Sequence, residues 1–115
     1  MASKTELSYS AELRGRCEPI FDAFWTHPFL EGLKDGSLSG ERAVHYVGQD
    51  HQYLNAYMRC YGLGVSLSPD RDWMQWFHGN LSFILNDEIH PHHALCRAAG
   101  VTYEEAQVEV MAPSA

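Results

Sequence analysis

Apolar residues recur at intervals of three and four along most of this chain, and this spacing restricts its fold more than any other feature. Such intervals place side chains on one face of an α-helix. No stretch shows the sustained alternation of apolar and polar residues, bounded by hairpin turns, that would indicate a half-buried strand. The sequence therefore predicts an all-α fold, a bundle of about four helices.

The first two predicted helices are separated by a turn signal. The first covers about residues 10–26, and Pro19 is expected to kink it or to mark a late start, because proline removes a backbone donor and crowds the preceding turn. Gly36 favours a turn between the first and the second predicted helix. The second helix runs to about residue 66, and the hydroxyl of Ser39 is expected to cap its first turn.

Two further helices follow in the second half of the chain. Ser68 is expected to cap the third helix, with Pro69 at its first position, where a missing backbone N–H costs nothing. This helix is expected to bend at Pro91 and to end at Gly100, since glycine suits the position after a helix. Thr102 then opens a short fourth helix through a capping box.

Length and composition are those of an ordinary globular protein. The 115 residues are 45% apolar and 20% charged, which favours one domain over residues 1–115, with residues 1–9 as a flexible tail. Eight basic and fifteen acidic residues give a net charge of −7, and no lysine and arginine cluster is present to contact phosphates. We therefore expect no nucleic-acid partner.

Targeting and redox signals are few. The first residues lack the apolar core of a signal peptide, and no run reaches the ~18 apolar residues of a membrane span, so we expect a cytoplasmic protein without membrane contact. The three cysteines, Cys17, Cys60 and Cys96, form no Cys-x-x-Cys pair. Each is expected to be a small buried apolar residue rather than a reactive thiol.

A carboxylate lies within an aromatic stripe of the second predicted helix. Spacings of four, three, four and three residues place five side chains on one face: Tyr46, Asp50, Tyr53, Tyr57 and Cys60. An inward Asp50 needs a partner, and an aspartate between tyrosines suits a flat, nitrogen-rich heterocycle, which the rings can sandwich. The alternative is a structural aspartate that is bonded to a tyrosine hydroxyl or to Arg59.

The third predicted helix carries a second inward carboxylate, Glu88, with His92 one turn further on. Asp50 and Glu88 could therefore face one cavity. Asp87 and His90 have the spacing of a di-iron ligand pair, but further inward ligands are scarce, so the sequence favours a solvated, partly capping histidine cluster over a metal site.

The sequence contains no complete active site. It has no glycine-flanked nucleophile, no glycine-rich phosphate loop and no cysteine with a convincing histidine partner. We therefore assign no catalytic residue, no metal ligand and no cofactor from the sequence.

Three segments in order resemble the N-terminal signature of the TenA/thiaminase II family: FWTHPF at residues 24–29, GLKDGSL at residues 32–38 and YVGQDHQYL at residues 46–54. The resemblance covers about residues 21–115. It implies a heme-oxygenase-like helical bundle, usually a homotetramer, that hydrolyses aminopyrimidine breakdown products of thiamin or cleaves thiamin itself. It also implies that Asp50 holds the pyrimidine and that Tyr53 lines the pocket, with Glu88 as a further pocket group.

Members of that family are about twice this long, and the resemblance places their nucleophilic cysteine and late glutamate in the half that has no counterpart here. The leading hypothesis is therefore the pyrimidine-binding half of a thiamin-salvage aminohydrolase, with Asp50, Tyr53, Tyr57, Tyr46 and Glu88 as substrate-binding residues. It would be active only with a complementary C-terminal-half chain. The alternatives are a non-catalytic helical module for binding or for homo-oligomerisation and, third, a Glu/His metal-binding helical oxidase.

Overall fold

A computed structural model describes residues 8–108 and 112–113 of the chain, and it contains no strand in that part. The all-α prediction is confirmed. Six helices occur in the described residues: α1 (Tyr9–Trp25), α2 (Pro28–Asp35), α3 (Gly40–Leu67), α4 (Arg71–Asn86), α5 (His90–Ala99) and α6 (Tyr103–Ala106). They form two compact units, with the boundary between Leu38 and Ser39. None of these helices has the length and apolar character that crossing a membrane requires.

The first unit contains α1 and α2. Helix α1 matches the predicted first helix and contains Pro19, and none of its residues is buried. Ser8 caps it, because its hydroxyl accepts a hydrogen bond from the backbone N–H of Ala11 at 3.3 Å. Of the predicted flexible tail, residues 1–7 lie outside the described part, while Ser8 and Tyr9 belong to the start of α1.

Helix α2 was not predicted from the sequence, because a segment of eight residues is too short to show a clear period. His27 caps the start of α2, because its ring Nδ1 accepts from the backbone N–H of Phe29 at 3.1 Å. Pro28 lies in the first turn, where proline is favourable. It ends at Gly36, whose φ of 78° is a left-handed conformation that glycine adopts without strain, as the turn prediction requires.

The second unit is arranged around α3, which packs against α4 and α5. Ser39 caps α3 as predicted, since its hydroxyl accepts from the backbone N–H of Arg42 at 3.3 Å. A small core joins α3 to the last two helices and consists of Val47, Cys96, Tyr103 and Ala106. This core fixes α5 and α6 behind the middle of α3.

The predicted cap of the third helix was wrong by two residues. Asp70 caps α4, because its Oδ1 accepts from the backbone N–H of Trp73 at 3.1 Å. Ser68 instead ends α3, where its hydroxyl donates to the carbonyl of Gly64 at 2.6 Å. The residue before a proline favours an extended backbone, and Ser68 has ψ of 136°, so Pro69 lies in the connection rather than in the helix.

The predicted third helix is in fact two helices. The backbone N–H groups of Asp87 and Glu88 both donate to the carbonyl of Phe83, so α4 ends before Pro91 rather than bending there. Pro91 lies in the first turn of α5, where a missing N–H is harmless. The predicted end at Gly100, with φ of 77°, is confirmed, as is the capping box at Thr102 that opens α6.

Candidate functional site

A cleft of about 410 Å³ lies between α3 and α4. Its lining contains all five side chains that the sequence singled out, three tyrosines and two carboxylates. The described residues that line it are Tyr46, Asp50, Tyr53, Leu54, Tyr57, Tyr61, Asn80, Phe83, Ile84 and Glu88. Cys60, which the predicted stripe included, does not line the cleft, and Tyr61 does.

Helical spacing explains why these residues meet. Tyr46, Asp50, Tyr53 and Tyr57 recur along one face of α3, and α4 contributes Phe83 and Ile84 opposite them. Leu54 and Ile84 are buried, whereas the tyrosine rings are partly exposed. The cleft therefore has an apolar floor and aromatic walls, with the polar groups placed among them.

The tyrosines of α3 form a continuous aromatic wall. The rings of Tyr53 and Tyr57 are stacked, with 5.7 Å between centroids and 15° between planes. Tyr57 meets Tyr61 edge to face at 5.0 Å, and their hydroxyl oxygens are 3.2 Å apart. Such a wall offers both a flat apolar face and hydroxyl groups to a planar ligand.

Asp50 has a partner that the sequence analysis did not foresee. Its Oδ2 is 2.7 Å from Nε2 of His92, a partner other than the tyrosine hydroxyl or Arg59 that was named for a structural aspartate. The His92 side chain is 3% exposed and the Asp50 side chain 23% exposed. The sequence predicted a solvated histidine cluster. His90 is exposed, as that prediction requires, but His92 is buried, and for His92 the prediction was wrong.

Behind Asp50, a network of hydrogen-bonded side chains continues from His92. His92 Nδ1 is 3.3 Å from the hydroxyl oxygen of Tyr103, which is 2.8 Å from Nδ1 of His51. His51 Nε2 is 3.4 Å from the amide nitrogen of Asn55. Helical spacing placed both Glu88 and His92 inward, and His92 is buried whereas Glu88 is exposed. Nothing in the local sequence links α3 to Tyr103.

The cleft is electrostatically negative. Burial raises the pKa of Tyr46 above its ordinary value, and the charges of Asp50 and Glu88 raise it further. Both carboxylates therefore act on the same hydroxyl, and the lining residues that the structure describes include no lysine, arginine or histidine. Such an arrangement favours a ligand that carries N–H donors or a positive charge.

The three cysteines occupy different environments. Cys96 is buried in the core as predicted, and burial raises the pKa of its thiol. The same prediction was wrong for Cys17, which is half-buried, and for Cys60, which is exposed. In residues 8–108 and 112–113, no cluster of three or more histidine, cysteine or carboxylate side chains is placed to hold a metal ion.

A second, smaller cleft of about 240 Å³ lies on the other side of Leu54 and Ile84. These two side chains line both clefts and so form a partition between them. His51, Asn55 and Tyr103 line the second cleft. The hydrogen-bonded network that begins at Asp50 in the first cleft therefore reaches the second cleft.

Comparison with known proteins places this chain in a family. The family model described as TENA/THI-4/PQQC family matches residues 14–115. An aminopyrimidine aminohydrolase of Halalkalibacterium halodurans is 34% identical over 109 residues, which are 95% of this chain and 48% of the relative. One of Helicobacter pylori is 32% identical over 101 residues, 88% of this chain and 46% of the relative.

A relative in Haemophilus influenzae, described as an uncharacterized protein, is 31% identical over 94 residues, 82% of this chain and 43% of its own length. No solved structure matches the chain. The chain thus spans about half the length of the curated relatives it matches. The all-helical structure agrees with the heme-oxygenase-like fold of TenA proteins. On the match over residues 14–115, the chain belongs to the TENA/THI-4/PQQC family.

Proposed function

We propose that this chain is the pyrimidine-binding part of a thiamin-salvage aminopyrimidine aminohydrolase, with Asp50, Tyr53, Tyr57, Tyr46 and Glu88 as the residues that bind the substrate. The observation that carries the proposal is a carboxylate placed beside stacked tyrosines in one cleft. The names of the relatives from Halalkalibacterium halodurans and Helicobacter pylori support the substrate class.

The chemistry of an aminopyrimidine matches the cleft. Its ring is flat, so it can lie against the face of Tyr53 or Tyr57 in offset contact. Its amino groups donate hydrogen bonds, and Asp50 is an acceptor, as is Glu88 in the turn after α4. Charge-assisted hydrogen bonds are about twice as strong as neutral ones, so the two carboxylates should contribute more to orientation than the tyrosine hydroxyls do.

Binding and hydrolysis are separate proposals. A nucleophilic cysteine needs an adjacent base, and in the described part of the chain none of the three cysteines has a hydrogen-bonded histidine or carboxylate. We therefore propose that the chain binds the pyrimidine and that hydrolysis requires residues from a complementary chain or segment. The setting would be cytoplasmic, as is expected for thiamin salvage.

The test of the binding proposal is calorimetric titration of the full chain with an aminomethylpyrimidine. Asp50→Asn keeps the size of the side chain but removes the charge, so affinity should fall by about tenfold or more. The melting temperature of the variant should change little, because an asparagine oxygen can still accept from Nε2 of the buried His92. Asp87→Asn on the exposed turn after α4 is the matched control and should bind like the wild type. Equal affinities for Asp50→Asn and the wild type would contradict the proposal.

A second candidate function is a non-catalytic oligomerisation or binding module, and one observation favours it. Trp73 and Trp76 on α4 are 52% and 53% exposed, and they lie next to each other with 6.2 Å between ring centroids. Exposed aromatic pairs of this kind are common at protein interfaces. A purified chain that forms a stable homo-oligomer and binds no pyrimidine would favour this function over the first.

A further inference from the structure

The buried side chains behind Asp50 are the feature that the proposed function leaves unexplained. His92 is almost fully buried, yet it is polar, and its two ring nitrogens are both engaged, with Asp50 and with Tyr103. Buried polar groups are costly unless they are hydrogen-bonded, so such an arrangement needs a reason beyond packing. An apolar side chain at position 92 would fill the same space without that cost.

One assignment of protons satisfies every contact in this network of hydrogen-bonded side chains. His92 donates from Nε2 to Oδ2 of Asp50, and its Nδ1 accepts from the hydroxyl of Tyr103. The Tyr103 oxygen accepts from Nδ1–H of His51, and His51 Nε2 accepts from the amide of Asn55. All four hydrogen bonds then point toward Asp50, and each ring carries a single proton.

Tyr103, in the middle of this hydrogen-bonded network, is anchored in the core. Tyr103 packs with Val47, Cys96 and Ala106, so its hydroxyl is held in place by apolar contacts rather than by solvent. The ring of His93 also lies against Tyr103, with 4.6 Å between centroids. When the Tyr103 hydroxyl donates, as in this assignment, it favours the His92 tautomer with a bare Nδ1 and fixes the plane of the ring, in the way a second group commonly orients a functional histidine.

We propose that His92 is a positioning residue that holds the carboxylate of Asp50 in one orientation toward the cleft, and that Tyr103 and His51 fix His92 in the required tautomer. Asp50 Oδ2 is then committed to His92. Its Oδ1 has no hydrogen-bond partner in the described part of the chain, and it is the oxygen that accepts from the bound ligand. This inference rests on the proposed function, because it assigns the task of Asp50 to pyrimidine binding.

The first test measures the affinity of the full chain for an aminomethylpyrimidine by calorimetry in matched variants. His92→Phe keeps a ring but removes the donor, so affinity should fall about tenfold, since the donor to a charged group is lost. His92→Gln keeps an N–H at the Nε2 position and should recover most of the affinity. Tyr103→Phe removes one hydroxyl and should weaken binding about threefold. His90→Gln, the same change at an exposed position of α5, should have no effect.

The second test needs no ligand, and it still checks the inference if His92→Phe fails to fold. The nitrogen chemical shifts of the His92 ring, measured by NMR on the wild-type chain, should show a proton on Nε2 and none on Nδ1. Asp50→Asn should shift the Nε2 signal, and Tyr103→Phe should shift Nδ1. A proton on Nδ1 in the wild type, or no response of either nitrogen, would overturn the inference.

The outcomes separate this inference from the proposed function. If Asp50→Asn loses affinity while His92→Phe binds normally, then Asp50 binds the pyrimidine and His92 does not position it. If the wild-type chain and Asp50→Asn bind the pyrimidine equally, the proposed function fails, whatever the ring nitrogens of His92 show. Loss of affinity in both, with recovery in His92→Gln, supports the inference.

Discussion

Individual residues show most clearly what a sequence can and cannot indicate about this site. The cleft residues of α3 followed from periodicity alone, because a helix has a fixed rotation per residue. His92 as the partner of Asp50 did not, since the two are 42 positions apart and meet only because α5 packs behind α3. Local pattern predicts which face a residue occupies, whereas the packing of helices decides what lies against that face.

A pH prediction belongs to this scale and concerns His51. Burial lowers its pKa from the ordinary value of 6.5, and the proximity of His92 lowers it further. As pH falls through 6.5, the unfolded chain therefore binds this proton before the folded chain does, and the free energy of unfolding decreases. The contribution of His51 is present above that pH and is lost below it.

Chemical denaturation at several values between about pH 7 and about pH 5 measures this loss. His51→Gln, which does not titrate there, should be less stable at neutral pH and should lose less stability on acidification than the wild type. His90→Gln is the control for removing an exposed histidine. An identical pH dependence in His51→Gln and the wild type would show that His51 has the same pKa in the folded and unfolded chains.

At the scale of helices, the sequence predicted the longest elements well and the breaks between them poorly. Helix α3 was delimited to within a residue because its cap and its periodicity agree. The break after Asn86 was missed because Asp87, Glu88 and Ile89 continue a helical pattern of side chains. The two backbone N–H groups that converge on the Phe83 carbonyl end the helix, and no residue type in that segment signals it.

Close packing of α3 against α4 gives a prediction at this scale. A Cβ placed on Gly64 would lie 2.6 Å from the ring of Phe77, so Gly64→Ala must displace that ring and the aromatic cluster around it. We expect a loss of about 1–3 kcal/mol in the free energy of unfolding, as for other overpacking substitutions. Gly62→Ala, two residues away with nothing within 4 Å, should instead stabilise the helix by about 0.5–1 kcal/mol.

Denaturation of the two alanine variants by urea distinguishes these effects. If Gly64→Ala lowers the free energy of unfolding and Gly62→Ala raises it, the loss arises in the α3–α4 contact, since both substitutions change helix propensity equally. Stabilisation of the chain by Gly64→Ala would contradict the close approach of Phe77 to α3.

At the scale of the whole molecule, fold class and family were predictable, and the domain organisation stays a prediction. Long helical periods and three short segments in order were sufficient for both. The sequence predicted a single domain, and the structure describes two compact units. The described residues that line the cleft all belong to the second unit.

The most direct test of the central claim locates the ligand. Isotope-filtered NMR of the full chain with an aminomethylpyrimidine should show magnetisation transfer from the pyrimidine protons to the ring protons of Tyr53 and Tyr57, which are stacked beside Asp50 in the cleft. Tyr9, whose ring lies in the first unit, should show none. Transfer to residues outside the α3–α4 cleft, with none to Tyr53 or Tyr57, would contradict the assignment of this cleft as the pyrimidine site.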